Sequence, residues 1–316
     1  MSEEGTGPSS SLLPEEAFSL LGNETRFNIL RALWELFDPP ESSPVSYSNL
    51  MDYVGVRDSG NFNYHLGKLE GHFVESTDDG YVLSDAGEQI VQTVVAGTAV
   101  EQTSMDPVHI GVICPVCDGT GTTIRYDDET LTVQCTECDG IYPSRPGKLA
   151  EFHLPPAGLA GRDPVSVFES AITRVTLETR SMIAGVCPRC ASEPTVEVDW
   201  CREHESGDSG LCDQCDTTMQ SIAMYLCQTC KHIWRFPIWC NVLWHPATIA
   251  FFDNHDIDIE PLSWNYYLRG REFDQELLSE DPPRLAITVR ADDATLRFTF
   301  DESMTILSVE RDGPDT

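Results

Sequence analysis

Residues 114–138 read CPVCDGTGTTIRYDDETLTVQCTEC. They hold two Cys-x-x-Cys pairs, Cys114/Cys117 and Cys135/Cys138, with 17 residues between them. A pair at this spacing puts both sulfurs on one side of a tight turn, and two such turns at the mouth of a hairpin close a tetrahedral metal site. The intervening residues suit a hairpin: 122–126 and 130–134 are β-rich, and Asp127, Asp128 and Glu129 supply the turn. The stretch reads as a zinc ribbon. Four thiolates leave no open coordination position, so the metal is expected to be structural; zinc is favoured, although a rubredoxin-type iron would fit the same ligands.

Downstream the pattern repeats. Cys187/Cys190, Cys212/Cys215 and Cys227/Cys230 are three more pairs, and Cys201 and His204 stand at the same spacing. These eight residues make two further four-ligand sets, so two to three structural zinc ions are expected. Sequential pairing joins Cys187, Cys190, Cys201 and His204, then Cys212, Cys215, Cys227 and Cys230, each across a short excursion. A crossed arrangement, with Cys187/Cys190 meeting Cys212/Cys215 or Cys227/Cys230, stays open. Cys240 has no partner at knuckle spacing and reads as a buried free thiol. His232, directly after a knuckle, reads as a supporting or surface group. Residues 114–121 resemble one repeat of the DnaJ-type zinc region, but Cys135 and Cys138 lack the second glycine of that repeat. The glycines are read instead as letting the chain turn beneath the metal.

All 12 cysteines fall between Cys114 and Cys240, and two differently built ends flank them. The chain of 316 residues is long for one domain. It carries 52 acidic residues against 20 basic ones, a net charge of -32, and its only lysines are Lys68, Lys148 and Lys231. The acids are spread along the whole length, which resembles proteins of extreme halophiles. In molar salt the Debye length falls to about 3 Å, so self-repulsion is screened and net charge ceases to argue against a DNA partner. No stretch is long and apolar enough for a membrane span, and the N-terminus lacks a secretory pattern. A cytoplasmic protein without a membrane partner is expected, and disulfides are disfavoured.

The first hundred residues predict helices from Pro14, from the cap at Asn23 and from Ser46 or Ser48. Then Phe62, Leu66, Leu69 and Phe73 form one apolar stripe at helical spacing. Tyr64 and Lys68 project opposite it, with Asn61, Asn63 and His65 toward its flanks. A hairpin with an Asp-Gly turn near Gly80 and a last helix over about 85–95 follow. Residues 17–33, AFSLLGNETRFNILRAL, and 62–66, FNYHL, resemble the ArsR-like winged helix-turn-helix regulators. The resemblance covers about residues 13–98. It implies a homodimer on double-stranded DNA with Asn61, Asn63, Tyr64, His65 and Lys68 as the reading positions. The cysteines with which ArsR sensors bind metal are missing from this part.

The expected fold is α+β and multidomain. A disordered tail (1–12) precedes a winged helix-turn-helix domain (13–100), a zinc ribbon (106–155) and a Cys/His zinc module with a C-terminal antiparallel sheet (160–316). Residues 163–183 predict an amphipathic helix between the metal clusters, and 285–309 a three-stranded meander. This order is similar to haloarchaeal transcription regulators. No catalytic constellation is visible, so an enzyme is not expected. The first reading is a DNA-binding transcription regulator whose C-terminal half binds an effector or partner. The alternatives are a zinc-ribbon adaptor that does not bind DNA and a thiol redox sensor.

Overall fold

The computed structural model describes residues 13–37, 44–97, 103–142, 145–205, 212–215, 217, 219–257, 264 and 273–313. The tail expected over 1–12 lies outside them. The protein is mixed α/β with several antiparallel sheets, and divides into two compact units, residues 1–101 and 102–316.

In the first unit the helices are α1 (Pro14–Leu21), α2 (Glu24–Glu35), α3 (Tyr47–Val54), α4 (Ser59–Leu69) and α5 (Asp85–Val95). A hairpin of β1 (Val74–Thr77) and β2 (Gly80–Leu83) precedes α5. Most helix starts are set by side chains that accept an otherwise orphaned backbone N–H. Asn23 receives Arg26, Ser46 receives Asn49, Asp58 receives Gly60 and Asn61, and Ser84 receives Gly87. Ile29, Leu30 and Leu33 of α2 meet Leu50, Phe62, Leu66, Leu69 and Val91 in one core. The turn differs slightly from expectation: Thr77 pairs with Gly80, so Asp78 and Asp79 form it and Gly80 already belongs to β2. Gly80 is required for another reason. A Cβ there would lie 2.5 Å from the Val45 carbonyl oxygen, where Val45 makes an isolated antiparallel bridge to Tyr81.

The second unit begins with a four-stranded antiparallel sheet: β3 (Met105–His109), β4 (Thr122–Asp127), β5 (Thr130–Cys135) and β6 (Lys148–His153). The two central strands follow from the alternation in the sequence; β3 and β6 add to the expected hairpin. Asp128 and Glu129, both at positive φ, make the two-residue turn. Helix α6 (Pro164–Ile183), capped by Asp163, packs on β6 and on β9 (Ile233–Pro237). β9 belongs to a three-stranded sheet with β7 (Pro194–Trp200) and β8 (Ser221–Cys227). Two short helices, α7 (Cys240–Leu243) and α8 (Pro246–Asp253), come next. The C-terminal sheet has four strands, not three: β10 (Phe273–Glu280), β11 (Pro283–Ala291), β12 (Ala294–Phe300) and β13 (Ile306–Asp312). β10 escaped the apolar-polar reading because its sequence, FDQELLSE, turns mostly acids outward and few large apolar side chains inward.

One core unites these three sheets. Tyr126, Leu131 and Phe152 of the first sheet, Phe168 and Val175 of α6, Tyr225 and Phe236 of the second sheet, and Ile287 and Phe298 of the third belong to it. The expected ribbon and the expected Cys/His module therefore share a hydrophobic interior. Several polar groups in it are paired: Trp234 Nε1 donates to Thr179 Oγ1 (2.9 Å), Tyr225 Oη to Asn241 Oδ1 (2.6 Å) and Tyr126 Oη to the Leu154 carbonyl (2.8 Å).

His245 offers a pH test of this packing. Its Nδ1 accepts the Ala247 N–H (3.1 Å) at the start of α8, and its ring lies edge-on to Phe298. Burial lowers its pKa below the usual histidine range. The folded state thus binds the proton less readily than the unfolded chain, so this stability is present above about pH 6.5 and is lost as pH falls through the folded pKa. Urea midpoints of the native chain should fall on acidification across this range more than those of His245→Asn, which keeps a capping oxygen. Parallel pH profiles would refute the assignment.

Candidate metal centres

Among the described residues, three groups of four bring one ligand atom each to within 4.8 Å of one another. They are Cys114/Cys117/Cys135/Cys138, Cys187/Cys190/Cys227/Cys230 and Cys201/His204/Cys212/Cys215. Every cysteine and histidine singled out as a ligand from the sequence belongs to one of them. Cys240 belongs to none; it is fully buried, and burial pushes its thiol up.

The partners in the second half differ from the sequential pairing. The β7–β8 hairpin decides this. Pro194 pairs with Cys227 at one end of the hairpin and Trp200 with Ser221 at the other. Cys187/Cys190 run into the start of β7 and Cys227/Cys230 leave the end of β8, so the two knuckles meet at the base. Cys201/His204 leave β7 and Cys212/Cys215 approach β8, so they meet at the tip. The sites are nested, one at each end of a single hairpin. Sequential pairing would require Cys187 to meet Cys201 across the full length of β7, about 3.3 Å per residue over seven residues.

The local geometry recurs. In four knuckles the first cysteine N–H donates to the carbonyl five residues on: Cys114 to Gly119 (2.8 Å), Cys187 to Ser192 (2.9 Å), Cys212 to Thr217 (3.0 Å) and Cys227 to His232 (2.9 Å). At Asp118, Ala191 and Lys231 the N–H four residues on returns to the cysteine carbonyl, and all three residues hold a positive φ near 60°. The sulfurs are spaced for a tetrahedron. Cys114–Cys138 and Cys117–Cys135 are 3.8 and 3.7 Å apart, Cys187–Cys230 and Cys190–Cys227 3.6 and 3.4 Å, and Cys201–Cys212 3.9 Å. His204 Nδ1 lies 3.4 Å from Cys215 Sγ. A metal–sulfur bond of about 2.3 Å gives a tetrahedral edge of about 3.8 Å. A disulfide needs about 2.05 Å.

Electrostatics point the same way. The Ser192 hydroxyl and N–H pull the Cys190 thiol down to about 6. Burial opposes ionisation of Cys212, but the N–H groups of Cys215, Gln214 and Glu205 outweigh it and bring that thiol down to about 7. Burial, with the Cys215 and Cys212 sulfurs, pushes Cys201 up to about 11. Thiols so crowded cannot all ionise unless a cation shares their charge. Ser192 and Thr217, whose hydroxyls lie 3.5 Å from Cys190 and Cys215, were not foreseen. Each stands two residues after the second cysteine of its knuckle, a spacing that would have flagged both.

Gly119 and Gly121 lie close against Thr136 and Glu137 of the facing knuckle. A Cβ at Gly121 would lie 2.5 Å from Thr136 Oγ1, and one at Gly119 would overlap the Glu137 carboxylate. His232 stacks on Trp234.

The other predicted site residues lie on α4. Phe62, Leu66 and Leu69 are buried, while Asn61, Asn63, Tyr64 and Lys68 are exposed and His65 is half-buried. Tyr64 is 62% exposed, and Lys68 Nζ sits 5.8 Å from the centre of its ring. Tyr47 ties α3 to α4, edge-on to Phe62 and donating to the Ser59 carbonyl.

These features define a mixed α/β protein with three cysteine-rich clusters placed to hold metal ions. Among the described residues no helix is long and apolar enough to cross a membrane. The chain belongs to the family of the domain of unknown function DUF7351, whose sequence profile matches residues 111–306. Residues 14–94 match a second domain of unknown function, DUF7347. No curated protein matches the chain. The two matched stretches fall one in each compact unit.

Proposed function

We propose that this protein is a DNA-binding transcription regulator, with an ArsR-like winged helix-turn-helix in residues 13–100 and zinc in all three clusters. The observation that carries the reading is the uncovered face of α4. Asn61, Asn63, Tyr64 and Lys68 stand in solvent on a helix whose opposite stripe is anchored in the core. These side chains offer donors, acceptors and one cation to base edges and phosphates. The neighbouring helix α3 and the β1–β2 hairpin are the parts that a winged helix-turn-helix uses around its reading helix. The tetrahedral, thiolate-rich ligand sets suit zinc, and with all four positions taken the metal acts as scaffold. The role is regulatory and not catalytic.

The test is binding of the chain to its own promoter DNA in molar KCl, followed by fluorescence anisotropy. Tyr64→Ala with Lys68→Ala should weaken binding by roughly tenfold or more, since each lost contact is worth about 1–3 kcal/mol. Both side chains are exposed, so the melting temperature should stay within about 2 °C. Unchanged affinity would sink the assignment of α4. It would favour a protein-docking role, for which the presence of only one lysine on this face already speaks.

A further inference from the structure

We infer that the three metal clusters divide their labour: the tip cluster Cys201/His204/Cys212/Cys215 is an exchangeable site for a thiophilic divalent cation, while the other two are permanent parts of the fold. This rests on the metal reading of the clusters.

The first observation is where the ligands sit relative to the core. Cys114 and Cys135 of the first cluster, and Cys187 and Cys227 of the base cluster, belong to the hydrophobic core that joins the three sheets. Among the described residues none of the four tip ligands does, although Cys212 is itself buried. Opening either core cluster would expose apolar surface of that shared interior, to which the tip ligands do not belong. Its ligands are also held by a short local closure, Cys201 to Cys212, at the far end of the β7–β8 hairpin. A site of this kind can open in a local event well below the free energy of global unfolding.

The second observation is access. Among the described residues, a cleft of about 480 Å³ runs along the tip cluster, lined by Asp199, Trp200, Cys201, Glu203, Cys215 and Thr217 among others. It reaches two of the ligands, Cys201 and Cys215, directly. Two carboxylates line it, and its rim cation, Arg202, is engaged by Glu280 (3.2 Å). An acidic cleft that ends on metal ligands gives a cation a way in and a chelator a way out.

The third is the donor set. Three thiolates and a neutral imidazole bring one negative charge fewer than four thiolates, so the tip holds a divalent cation with less Coulombic attraction than either four-thiolate cluster. Side-chain exposure alone does not single out the tip, since Cys117, Cys190 and Cys230 are exposed and no tip cysteine is; core membership, the cleft and the donor set do.

The test is ¹¹³Cd NMR of the full-length chain loaded with cadmium, because four-sulfur and three-sulfur, one-nitrogen sites resonate apart. Two signals of the first kind and one of the second are expected. On titration with EDTA the three-sulfur, one-nitrogen signal should vanish at chelator concentrations at least about tenfold below those that remove the others. Near-ultraviolet circular dichroism should hold until the four-sulfur signals fall, and fresh cadmium should restore the lost signal. Cys212→Ser should lack that signal alone and keep the native spectrum. Failure to bind cadmium at any cluster would overturn the metal reading itself. Three bound ions that leave together, or a four-sulfur signal lost first, would overturn the division of labour and leave the metal reading standing.

Discussion

Cys227→Ser should release the base metal and unfold the second unit. Cys227 ends β8, is fully buried, and sits in the core with Tyr225 and Phe236. Its sulfur faces Cys190 at 3.4 Å and accepts the Cys230 N–H. Replacing one thiolate leaves three crowded sulfurs without a closed tetrahedron around a cation. Structural zinc contributes about 10–16 kcal/mol of apparent binding free energy in zinc-finger peptides. A folded domain as a whole retains only about 5–15 kcal/mol. The substitution therefore removes a quantity as large as the stability of the unit. Cys240→Ala is the informative control, because Cys240 is equally buried but lies outside every cluster. It should keep three metal ions per chain and cost about 1 kcal/mol for a small lost contact. Metal content by mass spectrometry and melting by circular dichroism decide the matter. If Cys227→Ser holds its metal and melts like the native chain, the base cluster is no staple.

Gly147→Ala should be nearly as damaging, for a backbone reason. Gly147 has φ +78°, and a Cβ built on it would lie 2.4 Å from the Cys135 carbonyl oxygen. The same residue donates its N–H to the Asp139 carbonyl (2.8 Å), and its own carbonyl accepts the Cys135 N–H (2.7 Å). These bonds hold the loop after Cys138 against the second knuckle of the first cluster. Alanine at positive φ costs about 1 kcal/mol, and forcing backbone apart in a packed site adds about 1–3 kcal/mol. Gly161→Ala separates the two contributions, since Gly161 has φ +70° but nothing within 4 Å of the added carbon. Its cost should be the conformational part alone. Each kcal/mol corresponds to roughly 2–4 °C in melting temperature for a unit of this size. Gly147→Ala should thus melt several degrees below Gly161→Ala. Equal melting temperatures would show that the loop gives way without cost.

Much of the architecture is written in local signals. Asn23 and Ser46 cap the helices that their positions announced, and Asp58, Ser84 and Asp163 cap three more, because a cap needs only an oxygen within three residues of the N–H it accepts. The stripe of Phe62, Leu66 and Leu69 faces inward as its spacing required. Strands were less legible. β4 and β5 alternate clearly, but β3 (MDPVH) and β10 (FDQELLSE) carry little apolar signal of their own. They are strands because β4 and β11 offer them hydrogen-bonding edges.

The metal centres divide along the same line. The sequence by itself determined the ligands: a Cys-x-x-Cys turn is a local object, closed by bonds spanning four and five residues, and all twelve ligands were identifiable from spacing alone. It also determined the first cluster, whose two knuckles end the two strands of one hairpin. Which of the remaining half-sites meet was decided only in the tertiary structure. Four half-sites in a row permit more than one pairing, and proximity in sequence favours the shortest loops. The pairing of Pro194 with Cys227 and of Trp200 with Ser221 overrides that preference. Once β7 and β8 zip together, their ends are fixed in space, and Cys187 can no longer reach Cys201. The entropy saved by a shorter loop, under about 1 kcal/mol for each halving of length, is smaller than what a strand pair and its core contribute.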